Sequence, residues 1–246
     1  LLLNYCMELS AGQKLLVSTT TLALPLVSEL FIQCQKMGVI METILEWEGK
    51  SADFNEVGNE AQASYINPLY KEAMDTFEGY LVIRAPFEES RSIGSNTSLH
   101  SIRAKANEFW HKKYFQRTAT RDLKRNLCQY PTEAGAKLAD MTLDEYTHFI
   151  VNACYLNTDD PGAQWLNVRK QQQDATDILN SCTDFRYLSP NLDIRFNTKG
   201  RKWVNSDGQT NMPSGEIYTS PVEDSVNGHI LFTLPSMYQG HLLHNV

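Results

Sequence analysis

The sequence has no apolar run approaching the roughly 18 residues of a membrane-spanning helix, which excludes a helical membrane protein. It is also poor in positive charge, with 22 Lys and Arg against 29 Asp and Glu and a net charge of −7. The basic residues are scattered, with no run longer than a pair, so the basic face that a nucleic acid requires is missing. Cysteine is scarce, odd in number and irregularly spaced, at Cys6, Cys34, Cys128, Cys154 and Cys182, and no CxxC occurs. That excludes a disulfide framework and a zinc knuckle, and fits reduced, mostly buried thiols in a cytoplasmic protein.

Several chemical signatures are absent as well. A dinucleotide site needs a glycine-rich turn after the first strand, where this chain has Thr19-Thr20-Thr21-Leu22-Ala23 and no glycine. There is no P-loop and no GxSxG elbow. The histidines (His100, His111, His148, His229, His241 and His244) form no HExxH or other close helical ligand pair, so a site built from them alone is not expected. His100 and His111 fall on a polar helix and read as surface residues. No internal repeat, low-complexity tract or Gly-Ser linker divides the chain.

What is present is enough apolar residue, 42% of 246, to bury one large domain or two modest ones. Strand and helix signals alternate through the first three quarters. Lys14 to Thr19 reads as a strand, Leu24 to Met37 as a helix with Pro25 in its first turn and Gly38 as its stop, and Val39 to Leu45 as a strand. Pro68 to Phe77 follows as a helix. Gly79 to Pro86 is an unbroken apolar strand of the kind buried on both faces. Leu99 to Arg117 is a long helix and Arg125 to Tyr130 a strand. Helices start at Thr132 and Thr142, the latter with the capping box Thr142-Leu143-Asp144-Glu145, and another spans about Gln164 to Asn180. This alternation predicts an α/β fold, with a doubly wound, mostly parallel sheet over residues 1–186.

The grammar then changes. Leu192 to Phe196 alternates apolar and polar, turns at Asn197-Thr198-Lys199-Gly200 and returns as Arg201 to Asn205, which reads as a hairpin. Asn227-Gly228 reads as a further turn before a strand over Ile230 to Leu234. Residues 187–246 are therefore expected to be the first part of a β-rich second domain, truncated at Val246. The Leu1-Leu2-Leu3-Asn4-Tyr5-Cys6 start has no initiator Met and no basic region, and reads as the end of a helix begun upstream. Ile194, Phe196, Trp203 and the Ile230–Leu234 strand carry apolar faces that need a partner sheet.

Within the second segment, Asn211-Met212-Pro213-Ser214-Gly215-Glu216-Ile217-Tyr218-Thr219-Ser220-Pro221 sets one carboxylate, Glu216, between a turn and a short strand. Rigid backbone on both sides suits a metal ligand or a catalytic acid or base; an ordinary solvated loop-end glutamate fits the same residues. Glu223 and Asp224, also in turns, are further candidates. Arg84 stands at the carboxyl edge of the parallel sheet, where ligands of such sheets bind, and is expected to pair with an acid of its own domain.

This stretch, with Val222-Glu223-Asp224-Ser225-Val226-Asn227-Gly228 after it, resembles the signature of the thermophilic metalloaminopeptidases, the aminopeptidase S and aminopeptidase T type enzymes. Leu3-Asn4-Tyr5-Cys6, Leu26-Val27-Ser28-Glu29-Leu30, Ile83-Arg84-Ala85-Pro86 and Tyr130-Pro131-Thr132-Glu133-Ala134 match the same family's pattern in order. The resemblance implies a two-domain, homodimeric enzyme that removes N-terminal residues from peptide substrates. It implies two divalent metal ions (zinc, cobalt, manganese or magnesium), with Glu216 as a ligand. Glu223 and Asp224 are assigned to supporting the ligand or the turn. The family's other ligands, a second glutamate, histidines and a histidine-aspartate pair, would follow Val246, so these residues carry one wall of the site and are expected to be inactive alone. The reading outside the family is a non-catalytic α/β module that binds a small molecule or a partner.

Overall fold

Leu15, Leu16 and Val17 are fully buried in a computed structural model that describes residues 1–88, 97–234, 236–238 and 241–243. Three consecutive inward side chains cannot belong to a strand with one wet face, so this strand is covered on both sides. In chain order the elements are β1 Lys14–Thr20, α1 Leu24–Met37, β2 Ile40–Glu46, α2 Lys50–Val57, α3 Glu60–Ala63, α4 Pro68–Thr76, β3 Gly79–Arg84, α5 Thr97–Ala119 and β4 Lys124–Gln129. There follow α6 Glu133–Leu138, α7 Leu143–Ala153, α8 Pro161–Asn180, β5 Asp184–Ser189, β6 Leu192–Asn197, β7 Val204–Ser206, β8 Asn211–Met212, β9 Glu216–Tyr218, β10 Asn227–Ile230, β11 Ser236–Tyr238 and β12 His241–Leu243. His244 and the side chains of His100 and His241 lie outside the described residues. No helix among the described residues is long and apolar enough to cross a membrane.

The chain forms two compact units, one of residues 1–165 and 208–214, the other of residues 166–207 and 215–246. The change of periodicity at about residue 187 falls inside the second of these.

In the first unit a five-stranded parallel sheet has the order β2-β1-β3-β4-β8. Its first four positions follow the doubly wound order that reverses between β1 and β3. One part of the core packs Leu16 with Ala73, Met74, Phe77 and Leu123, backed by Tyr80 and Tyr114 in edge contact at 6.0 Å. Burial there pushes the Tyr70 hydroxyl up to about 12, with Tyr80 and Tyr114 adding to it. Arg117 closes the end of α4, donating to Ala73 O at 3.3 Å, Met74 O at 3.0 Å and Phe77 O at 2.8 Å. A cation there satisfies carbonyls that the helix cannot. Helices α2 and α3 have no counterpart in the sequence reading.

The capping box forms as the sequence dictates. Glu145 N donates to Thr142 Oγ1 at 3.3 Å, and Thr142 N donates to Glu145 Oε2 at 2.8 Å. These bonds, with the backbone one first, hold the Glu145 carboxyl below the usual range. Thr142→Ala is expected to cost about 0.5–2 kcal/mol in a denaturant titration, the usual price of a lost cap.

The second unit departs from the sequence reading in its pairings. β6 forms its hairpin with β5 across the two-residue turn Pro190-Asn191, and its other edge is taken by β10, giving the order β10-β6-β5. The expected return strand over Arg201 to Asn205 does not pair with β6; β7 pairs with β9 instead. The Asn197–Gly200 turn is real, with Arg201 N donating to Thr198 O at 2.9 Å, but it sends the chain away from β6. Asn227-Gly228 is not a turn. It opens β10, and the strand ends at Ile230, so Leu231 to Leu234 are irregular.

The apolar faces also divide differently from expectation. Trp203 is buried, in edge contact with Phe185 at 5.1 Å, and Phe185 stacks on Phe196 at 5.4 Å. The unit thus covers these rings itself, whereas Leu231, Phe232 and Leu234 are exposed.

Candidate functional site

Glu216 opens β9, and the residues around it fix its backbone. Gly215 has φ +111°, a conformation that L side chains rarely adopt, which lets the chain leave Pro213-Ser214 and enter the strand at once. Its amide donates to Ser206 O at 3.1 Å, and Glu216 stands opposite Ser206 in the β7–β9 register. A polar stripe on α8 completes the grip. Gln172 Nε2 donates to Glu216 O at 2.9 Å, to Asn205 Oδ1 at 2.9 Å and to Ser206 O at 3.3 Å. Asn205 Nδ2 in turn donates to Arg169 O at 2.9 Å. Arg169 Nε donates to the buried Asp207 carboxylate just beyond β7.

All these bonds go to backbone or to neighbours. The Glu216 side chain is exposed and makes no hydrogen bond or ion pair with a described residue. A carboxylate whose backbone is held while its oxygens stay open suits a hard divalent cation.

Sequence reasoning missed this grip. The signal was available as polar residues at helical spacing, Arg169, Gln172, Gln173, Thr176 and Asn180, on one face of α8. Thr176 is buried, Arg169 and Gln172 are half-buried, and Asn180 Oδ1 accepts from Trp203 N at 2.9 Å, so the stripe packs on protein although Gln173 and Asn180 also meet water.

Glu223 and Asp224 lie in the short turn Glu223–Ser225. Both Glu223 oxygens accept from Arg201 Nη2 at 2.8 Å. Its own backbone amide and then the Arg201 guanidinium hold the Glu223 carboxyl below the usual range. The turn hangs on the end of β6, with Val222 N donating to Asn197 O at 2.8 Å and Asn197 N to Ser225 Oγ at 2.9 Å. Asp224 is exposed.

Among the described residues, no three His, Cys, Asp or Glu side chains converge on a point that could hold a metal. A catalytic zinc takes about three protein ligands, so the described residues do not by themselves fit a two-metal centre. Thiol chemistry is disfavoured too. Burial pushes Cys128 up to about 12 and Cys154 up to about 11, which keeps both protonated and inert. Arg84 departs from expectation: it is exposed, and no described acid pairs with it.

The fold and site together define a class, an α/β protein whose β-rich part presents a fixed, open oxygen donor. Comparison with known proteins narrows this. The chain matches the thermophilic metalloprotease (M29) family over residues 1–246. Aminopeptidase AmpS of Bacillus subtilis (strain 168) is 29% identical over 107 residues, covering 39% of this chain and 26% of that protein. The wild-type AmpT structure from Thermus thermophilus superposes with a TM-score of 0.81 at 15% identity, covering 99% of this chain and 65% of that one. At that identity the likeness shows the fold. The chain belongs to the thermophilic metalloprotease family, whose members are peptidases dependent on divalent metal. It spans about a quarter of the length of AmpS and about two-thirds of that of AmpT.

Proposed function

We propose that these residues belong to a metal-dependent aminopeptidase that releases N-terminal residues from peptides with two divalent metal ions, zinc, cobalt, manganese or magnesium. Glu216 supplies one oxygen ligand, and donors outside the described residues complete the set. A pair of such ions would polarise the scissile carbonyl and acidify a bound water. Glu223, through Arg201, supports the turn that follows the ligand strand, and Asp224 stands exposed beside it. The protein works as a homodimer in the cytoplasm, where its thiols stay reduced.

The observation that carries this reading is the open Glu216 carboxylate on a backbone fixed by Ser206 and Gln172, in a chain that matches the family throughout. The test is release of a chromophore from leucine p-nitroanilide by the full-length protein. Chelation should abolish it, returned metal should restore it, and an N-acetylated substrate should not react. Residues 1–246 alone should give no metal-dependent release. Turnover that survives chelation, or cleavage of the blocked substrate, would remove the proposal.

A further inference from the structure

Where the sheet order reverses between β1 and β3, an α/β sheet leaves a crevice outside the carboxyl ends of its strands. Here that crevice has a volume of about 540 Å³ and includes Thr20, Arg84, Pro86, Gln129, Leu138 and Tyr146 in its lining. Its strand ends are tied together. Thr20 Oγ1 donates to Ala85 O at 2.6 Å, Thr19 Oγ1 to Ile83 O at 2.9 Å, and Tyr130 N to Arg84 O at 2.8 Å. The frame is therefore fixed while the Arg84 guanidinium is left without a described partner.

We propose that this crevice is a binding site for an organic carboxylate with an apolar body, anchored by Arg84. A guanidinium offers a planar fork of donors that matches two carboxylate oxygens. Phosphate fits less well. The turn after β1 has no glycine to open its amides, and the Thr20 hydroxyl is engaged with Ala85 O and the Leu22 amide, at 3.3 Å from the latter. The neighbouring cation, Lys137, already faces Glu88 at 3.7 Å, which leaves Arg84 as the free positive charge of the described lining and suits a singly charged ligand. Beside Thr20, Gln129 and Tyr146 the wall has an apolar part: Leu138, 85% exposed, lines it with Ile83, Ala85 and Pro86. Such a leucine gains by being covered. The carboxylate could belong to a free small acid or to the C-terminus of a peptide.

Arg84 belongs to the first unit and Glu216 to the second, and a carboxylate held by Arg84 calls for no metal. The experiment is a calorimetric titration of the full-length protein with N-acetyl-leucine, whose blocked amine keeps it from being an aminopeptidase substrate. Saturable binding is expected, weaker by at least about tenfold for N-acetyl-leucinamide and for Arg84→Gln, as for a lost charge-assisted pair. Glu216→Gln should bind as the parent does, which separates failure here from failure of the metal reading. Tighter binding of N-acetyl-Ala-Ala-Leu would assign the site to peptide C-termini, and equal binding to small acids. Leu138→Asp, on the apolar wall, provides a second variant and should weaken both. Absence of saturable binding by either probe, or binding that Arg84→Gln and Leu138→Asp leave unchanged, would overturn the proposal.

Discussion

Glu216→Gln in the full-length protein is expected to lower bound metal and turnover together, by more than about a hundredfold. Groups that merely orient a metal ligand cost about 10–100-fold when removed, and a direct oxygen donor should exceed that. The substitution keeps the size of the side chain and replaces a charged donor by a neutral amide. It leaves β9 intact, because Ser206 and Gln172 hold the strand by its backbone carbonyl and amides and not by the carboxylate. Unfolding of the variant should match that of the parent, so the loss can be read as chemistry. Gln172→Ala makes the complementary test. It removes the bonds to Glu216 O, Asn205 and Ser206 while keeping the carboxylate, and should fall in the 10–100-fold range. Glu223→Gln should leave metal content unchanged, since that carboxylate is spent on Arg201. Metal content by mass spectrometry and kcat on one substrate decide the matter. A Glu216→Gln enzyme with normal metal and normal turnover would remove Glu216 from the centre.

The sequence is legible where the signal is local. Leu15, Leu16 and Val17 declare a strand covered on both faces, and Thr142 with Glu145 declares a helix start, because each depends on residues within one turn or one strand. The turn before Glu216 was readable for the same reason, from Pro213, Ser214 and Gly215. Pairings in the second unit were not. Asn197-Thr198-Lys199-Gly200 is a good turn whichever strand comes next, and nothing local says that β6 will take β5 and β10 as neighbours. Pro190-Asn191, the turn that does join β5 to β6, lacks the usual two-residue hairpin composition, because those turns favour φ > 0 at the first position and proline is fixed near −65°. The Gln172 grip depends on a residue 44 positions from Glu216, beyond the reach of any periodicity. The partner of Arg84 is equally non-local: whether an arginine at a strand end meets an acid depends on distant segments, and this one has none among the described residues.

Gly228→Ala is expected to be the most damaging single-methyl change in the second unit. Asn227-Gly228 carries the strongest turn composition in that segment, yet the glycine lies within β10, opposite Ile194. Its φ of +134° is one that L side chains rarely adopt. A Cβ there would sit 2.0 Å from Asp193 O and 2.8 Å from Ile194 Cα, both backbone atoms of β6. No rotamer change can relieve a collision with backbone, so either the strand separates from β6 or the sheet distorts. Conformational strain of about 1–3 kcal/mol and a comparable overpacking cost put the loss at about 2–5 kcal/mol. Gly200→Ala is the control: its φ is +77°, but a Cβ would meet nothing within 4 Å, so only the left-handed cost of about 1–2 kcal/mol applies. Hydrogen exchange locates the effect. In Gly228→Ala, amides of β10 and β6 should lose protection while those of Leu15, Leu16 and Val17 in the parallel sheet keep theirs. Equal stability of the two variants in a denaturant titration would mean that β10 does not need the close approach of a bare backbone, and that the pairing of β10 with β6 is wrong.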